Sequence, residues 1–262
     1  MEVVGAQLYY EVRGSGPLMA LVGSPMHAES FAPVAELLAS DHTVLTADPR
    51  GHFGSVLDDP ESDSTPELRA ADLARLISHV DTGPATVFGS SGGALTTLAL
   101  LQTRPDLVCT AIVHEPPLVE LLDERECQRA VIDDIVATYR GGDEIGAVRK
   151  FFAFSEVHVP EEMFGWMVGG GRTVDAVAGD RYFYLHELRG SAGWVPDLGA
   201  LSNARDCVVV GVGEASEGQL CDRASRALAA ALNVEPIHFP GGHTGFIEDP
   251  DGFADRIRMV VG

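Results

Sequence analysis

The sequence predicts an α/β fold: a mostly parallel central sheet flanked by helices, with a helical cap inserted late in the chain. Three observations carry that expectation. Short apolar runs alternate with segments of helical period along most of the 262 residues. Several of those runs are apolar throughout, as strands buried on both faces are. The rhythm then breaks once, between residues 118 and 194, where helical and aromatic-rich sequence takes over. The expected organisation is a core of residues 1–117 and 195–262 with a cap of residues 118–194, the cap lying over one edge of the sheet rather than forming an independent domain.

Gln7 to Arg13 (QLYYEVR), Leu18 to Val22 (LMALV) and Thr43 to Ala47 (TVLTA) read as strands, and Ser30 to Ala39 between the last two has helical spacing. Ser64-Thr65-Pro66-Glu67 is a helix start with proline at the first helical position, and LRAADLARLISHV continues it. Ala85 to Phe88 is a short apolar strand, followed by a Gly/Ser turn, a helix from Ala94 to Gln102 and a strand from Val108 to Val113. In the cap, CQRAVIDDIVATYR and IGAVRKFFAF are helical, and Gly169-Gly170-Gly171 interrupts them. Cys207 to Val212 and Pro236 to Phe239 then read as strands around a helix from Arg223 to Leu232, and a helix from Asp251 to Val260 follows.

Charge narrows the function. With 18 basic and 39 acidic side chains the formal charge is −21, Lys150 is the only lysine, and no Lys/Arg cluster exists. Such a surface repels phosphate backbones, which argues against nucleic acid and anionic membranes as partners. No apolar run reaches the ~18 residues of a membrane helix. MEVVGAQLYYEVRG lacks the basic-then-apolar pattern of a secretory signal, so a cytoplasmic location is expected. Cys109, Cys127, Cys207 and Cys221 are far apart, and two of them sit in apolar strand-like runs; buried free thiols are expected, not disulfides or zinc ligands.

Val87-Phe88-Gly89-Ser90-Ser91-Gly92-Gly93 fits G-x-S-x-G with Ser91 central, directly after a strand and before a helix. So sharp a reversal needs flanking glycines and projects the serine hydroxyl above the sheet, making Ser91 the candidate nucleophile. The Gly92 N–H and the start of the helix point at the place where an oxyanion would form. His243, in the glycine-flanked loop FPGGHTGF after the last strand, is the candidate base, since an imidazole can take the serine proton and return it. The acid is less determined. In the loop after Cys207 to Val212, Ser216 fills the slot where a G-x-x-D pattern would carry its carboxylate, and Glu214 and Glu217 are off register. Glu115, leaving the strand Val108 to Val113 and stiffened by Pro116 and Pro117, is the leading candidate, with Glu214 and Glu217 as alternatives. Ser24, in Gly23-Ser24-Pro25-Met26-His27, is the expected second oxyanion donor through its backbone N–H, because Pro25 has none. The Asp48-Pro49-Arg50-Gly51 loop reads as architectural, an Asp/Arg pair tying the turn.

Taken together, GSSGG, the D-x-R-G loop and the late GGH resemble the α/β-hydrolase superfamily over essentially the whole chain. Ser90-Ser91-Gly92, His114-Glu115-Pro116-Pro117 and Pro240-Gly241-Gly242-His243 are similar to the corresponding segments of zearalenone hydrolases, lactonases that open a fungal macrolactone. The resemblance implies an α/β-hydrolase fold and a triad of Ser91, Glu115 and His243, with Ser24 and Gly92 donating to the oxyanion. A serine hydrolase of lactones or small hydrophobic esters is the expected function, with no metal or organic cofactor. The same triad also serves C–C bond hydrolysis or cofactor-free perhydrolysis, and the fold also serves small-molecule receptors. Met26, His27, Trp166, Tyr182, Phe183, Tyr184 and Trp194 are the expected walls of the substrate pocket.

Overall fold

The computed structural model describes residues 1–157 and 159–262. Its strands are Glu2–Val3 (β1), Ala6–Gln7 (β2), Tyr10–Gly14 (β3), Leu18–Val22 (β4), Thr43–Ala47 (β5), Val56–Leu57 (β6), Ala85–Ser90 (β7), Val108–His114 (β8), Val208–Gly213 (β9) and Ile237–Phe239 (β10). β1, β2 and β6 form a small antiparallel sheet, and the rest form the central sheet in the order β10-β9-β8-β7-β4-β5-β3. Every pairing in the central sheet is parallel except that of the edge strand β3 with β5.

The single strand expected over Gln7 to Arg13 is two. The Leu8 N–H bonds to Met1 O and the Tyr9 N–H to Ser55 Oγ, which takes both peptides out of any ladder. The chain thus passes from the small sheet to the edge of the large one.

Helices cover both faces. Ala32–Leu38 (α1) packs on one face, while Pro66–Val80 (α2) and Gly92–Thr103 (α3) pack on the other. The start of α2 is capped as its sequence predicts, with Thr65 accepting the Leu68 N–H and Pro66 in the first turn. Between β8 and β9 lie Arg125–Arg140 (α4), Glu144–Ser155 (α5), Glu161–Val168 (α6), Val174–Tyr182 (α7), a π-helical turn at Phe183–Glu187, Leu188–Ala192 (α8) and Leu198–Asn203 (α9). Leu220–Leu232 (α10), Gly245–Glu248 (α11) and Pro250–Val261 (α12) complete the layers.

The pleat of β4 divides the core. Leu18, Ala20 and Val22 join a cluster with α2 and α3, while Met19 and Leu21 face a second cluster with α1 and α12. The second is rich in phenylalanine (Phe31, Phe88, Phe239, Phe246 and Phe253), and burying each such ring is worth about 1.5–3 kcal/mol. Ile135, Tyr139, Tyr184 and Leu188, from the segment expected as a cap, belong to the same cluster as Val87 and Val113 of the sheet, so the helices between β8 and β9 share one apolar interior with it. No helix among the described residues is long and apolar enough to cross a membrane. The four cysteines are free, but burial differs from expectation: Cys221 is buried, Cys207 intermediate, and Cys109 and Cys127 exposed. Cys109 lies at the start of β8 and Cys207 just before β9, at the end of the sheet where solvent reaches.

Candidate active site

Ser24, Ser91, Glu115 and His243 all lie in the segments that follow strands at the C-terminal edge of the parallel sheet, the edge on which open α/β sheets build their sites. β7 and β8 are in register with Ser90 opposite His114, so Ser91 and Glu115 depart side by side. Both adopt left-handed backbone, with φ of +55° and +49°. That conformation is uncommon and costly for residues with a side chain, and it persists only where the surroundings impose it. Here the Ser91 N–H bonds to His114 O at 3.0 Å and the Glu115 N–H to Gly211 O at 3.1 Å. A Cβ on Gly89 would lie 2.3 Å from Gly93 O, and one on Gly93 only 2.1 Å from Val22 O, so the turn tolerates no side chain on either flank. α3 starts directly after Ser91, where its first N–H groups have no acceptor inside the helix.

His243 enters from the loop after β10. Its Nδ1 is 2.6 Å from Glu115 Oε2, while Glu115 Oε1 accepts the Gly213 N–H at 2.8 Å. The carboxylate that departs β8 therefore spans to the end of β9, the region in which Glu214 and Glu217 were the sequence alternatives. Those two are solvent-exposed, and Ser216 is buried. Burial alone would raise the Glu115 pKa, but the bond from His243 and the neighbouring imidazoles outweigh it and hold the carboxyl at about 2. Glu115 is thus an ionised acceptor. Its partner Nδ1 must carry the proton, which leaves Nε2 as the basic nitrogen.

Ser91 and His243 line one cavity of about 150 Å³ together with Ser24, Pro25 and Gly92. Among the described residues His243 bonds to Glu115 and not to Ser91 Oγ; such contacts are often long without substrate. A Cβ on Gly92 would lie 2.6 Å from Ser24 O, so the two expected oxyanion donors are neighbours. The far wall is apolar: Phe151, Phe152 and Phe154 of α5, Phe183, Leu188 and Leu220.

Of the seven expected wall residues, only Phe183 reaches this cavity. Trp166 is 79% exposed on the outer side of α6. Tyr182 packs over Gly51 and donates its hydroxyl to Ser62 O, on the opposite side of its helix. Tyr184 stacks on Tyr139 at 4.8 Å within the cap interior. Trp194 donates Nε1–H to Glu67 Oε1 and ties the cap to α2. His27 stacks on Phe53 and Met26 packs against Gly23, so their loop adjoins the site while their side chains turn away. The Asp48-Arg50 pairing is also corrected. Asp48 accepts the Ala28 and Gly54 N–H groups, and Arg50 makes a bidentate pair with Asp72 of α2. The residues missed are the three phenylalanines of α5, visible as the FFAF run, and Glu187, which nothing in its local sequence marks. Among the described residues no group of three or more His, Cys, Asp or Glu side chains is arranged to hold a metal ion.

The buried ionisable groups below the cavity set an acid limit on stability. Burial lowers the His114 pKa from 6.5 to about 4. The stability it contributes is complete above pH 6.5 and lost as pH falls through about 4. Glu115, lowered from 4.5 to about 2, contributes stability that is complete above pH 4.5 and lost as pH falls through about 2. Urea midpoints measured from neutrality downward are expected to fall in two stages, and His114→Phe to remove the upper stage and narrow the lower one, since His114 helps to keep Glu115 ionised. An unchanged upper stage in that variant would assign it to another group.

A profile of the alpha/beta hydrolase family matches residues 19–256. The uncharacterised hydrolase YraK of Bacillus subtilis (strain 168) is 32% identical over 268 aligned positions, which cover 100% of this chain and 94% of that one. The zearalenone hydrolase of Bionectria ochroleuca is 28% identical, over 97% of this chain and 93% of its own. Among solved structures, a thermophilic esterase from Thermogutta terrifontis superposes with a TM-score of 0.68 at 20% identity, covering 98% of this chain and 93% of that one. At that identity the likeness is one of fold.

Proposed function

The chain belongs to the alpha/beta hydrolase family, and on that premise we propose that it is a serine hydrolase of small hydrophobic carboxylic esters and lactones. One observation carries the reading: Ser91, held at φ +55° at the end of β7, shares a cavity with a histidine whose Nδ1 is bonded to a buried, ionised glutamate. Ser91 Oγ attacks the carbonyl carbon while its proton passes to His243 Nε2. Glu115 holds the imidazole tautomer and stabilises the imidazolium, and the N–H groups of Ser24 and Gly92 receive the oxyanion. Collapse breaks the ester C–O bond, and His243 returns the proton to the departing alkoxide. Water then repeats the sequence on the acyl-enzyme, with His243 as its base, and frees the acid and Ser91.

Size and charge point to the substrate class. A largely apolar cavity of about 150 Å³ is large enough for a benzene ring, which suits a short acyl chain or a small lactone ring. Glu187, the carboxylate on its wall, is already paired with the Arg69 guanidinium, and the rest of the lining is mostly apolar, so a substrate bearing its own carboxylate near the ester would give up hydration without gaining a partner. The zearalenone hydrolase relative, named for its action on that compound, fits ester-type chemistry on this chain.

The test is a fluorophosphonate probe with peptide mapping, followed by hydrolysis of p-nitrophenyl butyrate and of the p-nitrophenyl monoester of succinic acid. Single labelling at Ser91 is expected, with kcat/KM for the neutral ester higher by about 100-fold, since an ionised carboxylate loses its hydration in an apolar cavity. Absence of both labelling and turnover would overturn the hydrolase reading, and equal rates for the two esters would overturn the charge argument.

A further inference from the structure

Glu187 ends the π-helical turn Phe183–Glu187, in which the Leu188 N–H reaches back five residues to Phe183 O. This wider turn places Phe183, Glu187 and Leu188 together on the cavity wall. Glu187 is 1% exposed, and both of its oxygens are committed to the core. Oε1 accepts from Ser24 Oγ at 2.5 Å and lies 3.5 Å from Arg69 Nη1, while Oε2 is 2.7 Å from His52 Nε2. The three partners come from the loop after β4, from α2 and from the loop after β5.

Arg69 extends the same cluster. It is fully buried and donates to Ser64 Oγ, to Ser191 Oγ of the cap and to Thr96 Oγ1 of α3. Thr96 Oγ1 in turn bonds to Gly92 O at 3.1 Å. A single buried ion pair therefore leads from the cap to Ser24 on one side and to Gly92 on the other, the two residues whose N–H groups face the expected oxyanion. A carboxylate beside an oxyanion site has the wrong sign for catalysis. Burial would also raise its pKa, yet Arg69, His52 and Ser24 keep it ionised. Its use must lie in accepting hydrogen bonds, with the Arg69 guanidinium compensating its charge.

We propose that Glu187 is a positioning residue, a cap-borne clasp that holds the Ser24 loop, and through Arg69 the first turn of α3, in the geometry that receives the oxyanion. The inference rests on the serine-hydrolase reading above, and it makes seating of the cap a condition for a complete oxyanion site.

The experiment compares wild type, Ser24→Ala, Glu187→Gln and the double variant. Steady-state hydrolysis of p-nitrophenyl butyrate is read alongside amide hydrogen exchange of peptides covering residues 23–28. Glu187→Gln is expected to lower kcat by about 100-fold with KM little changed, the scale of a displaced catalytic donor. Ser24→Ala keeps the backbone N–H but loses the tether, and is expected to lower kcat in the same sense. The double variant is expected to be no slower than Glu187→Gln, because both act through one contact. Exchange in the 23–28 loop should quicken in each single variant while β7 and β8 stay protected. Additive losses, a change confined to KM, or loop exchange equal to wild type would overturn the clasp, as would faster exchange with kcat intact. Should Glu187→Gln fail to fold, Ser24→Ala alone decides by the same two readouts. A wild type that neither labels with fluorophosphonate nor turns over would defeat the hydrolase reading, and the exchange measurement would still decide whether Glu187 holds the loop.

Discussion

Ser91→Ala is expected to lower kcat/KM for p-nitrophenyl butyrate by about 10⁵- to 10⁶-fold, the scale on which loss of a nucleophilic serine is felt elsewhere. No neighbour can replace it. Cys221 is the one thiol on the cavity wall, and burial pushes its pKa well up, so it stays protonated and weakly nucleophilic. Ser24 is tethered to Glu187, and Ser191 accepts from Arg69. The fold should be indifferent to the change. Alanine carries the same positive-φ cost as serine, and the turn is imposed by the close approaches at Gly89 and Gly93. Thermal unfolding close to wild type, with fluorophosphonate labelling abolished, is the expected pair of results. Retention of more than about a tenth of the activity would place the nucleophile elsewhere.

The parts of this site that could be read from sequence are those fixed by short-range sterics. G-x-S-x-G specifies its own geometry: two glycines that admit no Cβ and a serine forced to φ +55° between strand and helix. Glu115 was legible for a related reason, because a residue leaving a buried parallel strand must emerge at the sheet's C-terminal edge. The cap was not. Its aromatic residues are numerous, and apolar character says that a side chain will be covered without saying by what. Trp166, Tyr182, Tyr184 and Trp194 are distributed among solvent, the loop at Gly51, the cap interior and α2. Which of them faces the cavity depends on helix rotations set by packing, including a π-helical turn that no local pattern announces. Long-range polar pairings were equally opaque. Arg50 and Asp72 are 22 positions apart, and Ser24 and Glu187 are 163 apart, so neither pairing leaves a periodic trace. The break between β2 and β3 belongs to the same class, since Ser55 Oγ draws the Tyr9 N–H away from the ladder across 46 positions.

Glu115→Gln is expected to cost about 10³- to 10⁴-fold in kcat, as acid-to-amide changes do in comparable triads, with KM nearly unchanged. The reason lies in how the carboxylate divides its two oxygens. One accepts the Gly213 N–H and the other the His243 Nδ1–H, so both partners are donors. An amide has a single acceptor. The backbone N–H of Gly213 cannot change its role, so it keeps the amide oxygen, and the amide NH₂ is turned toward the imidazole. His243 must then present a lone pair at Nδ1 and carry its proton on Nε2, the nitrogen that has to accept the proton of Ser91. The ring stays in place while the base is lost. Glu214→Gln and Glu217→Gln, on exposed side chains, are expected to stay within about twofold of wild type. Near-normal rates in Glu115→Gln, with either of the other two inactive, would move the acid to the loop after β9. The pH dependence gives a second check on the same atom. The part of acid stability that Glu115 contributes between pH 4.5 and about 2 should vanish in the amide variant, because a group that cannot ionise has no proton uptake linked to unfolding. A variant with wild-type acid stability and no activity would show that the carboxylate serves the histidine without being held ionised by it.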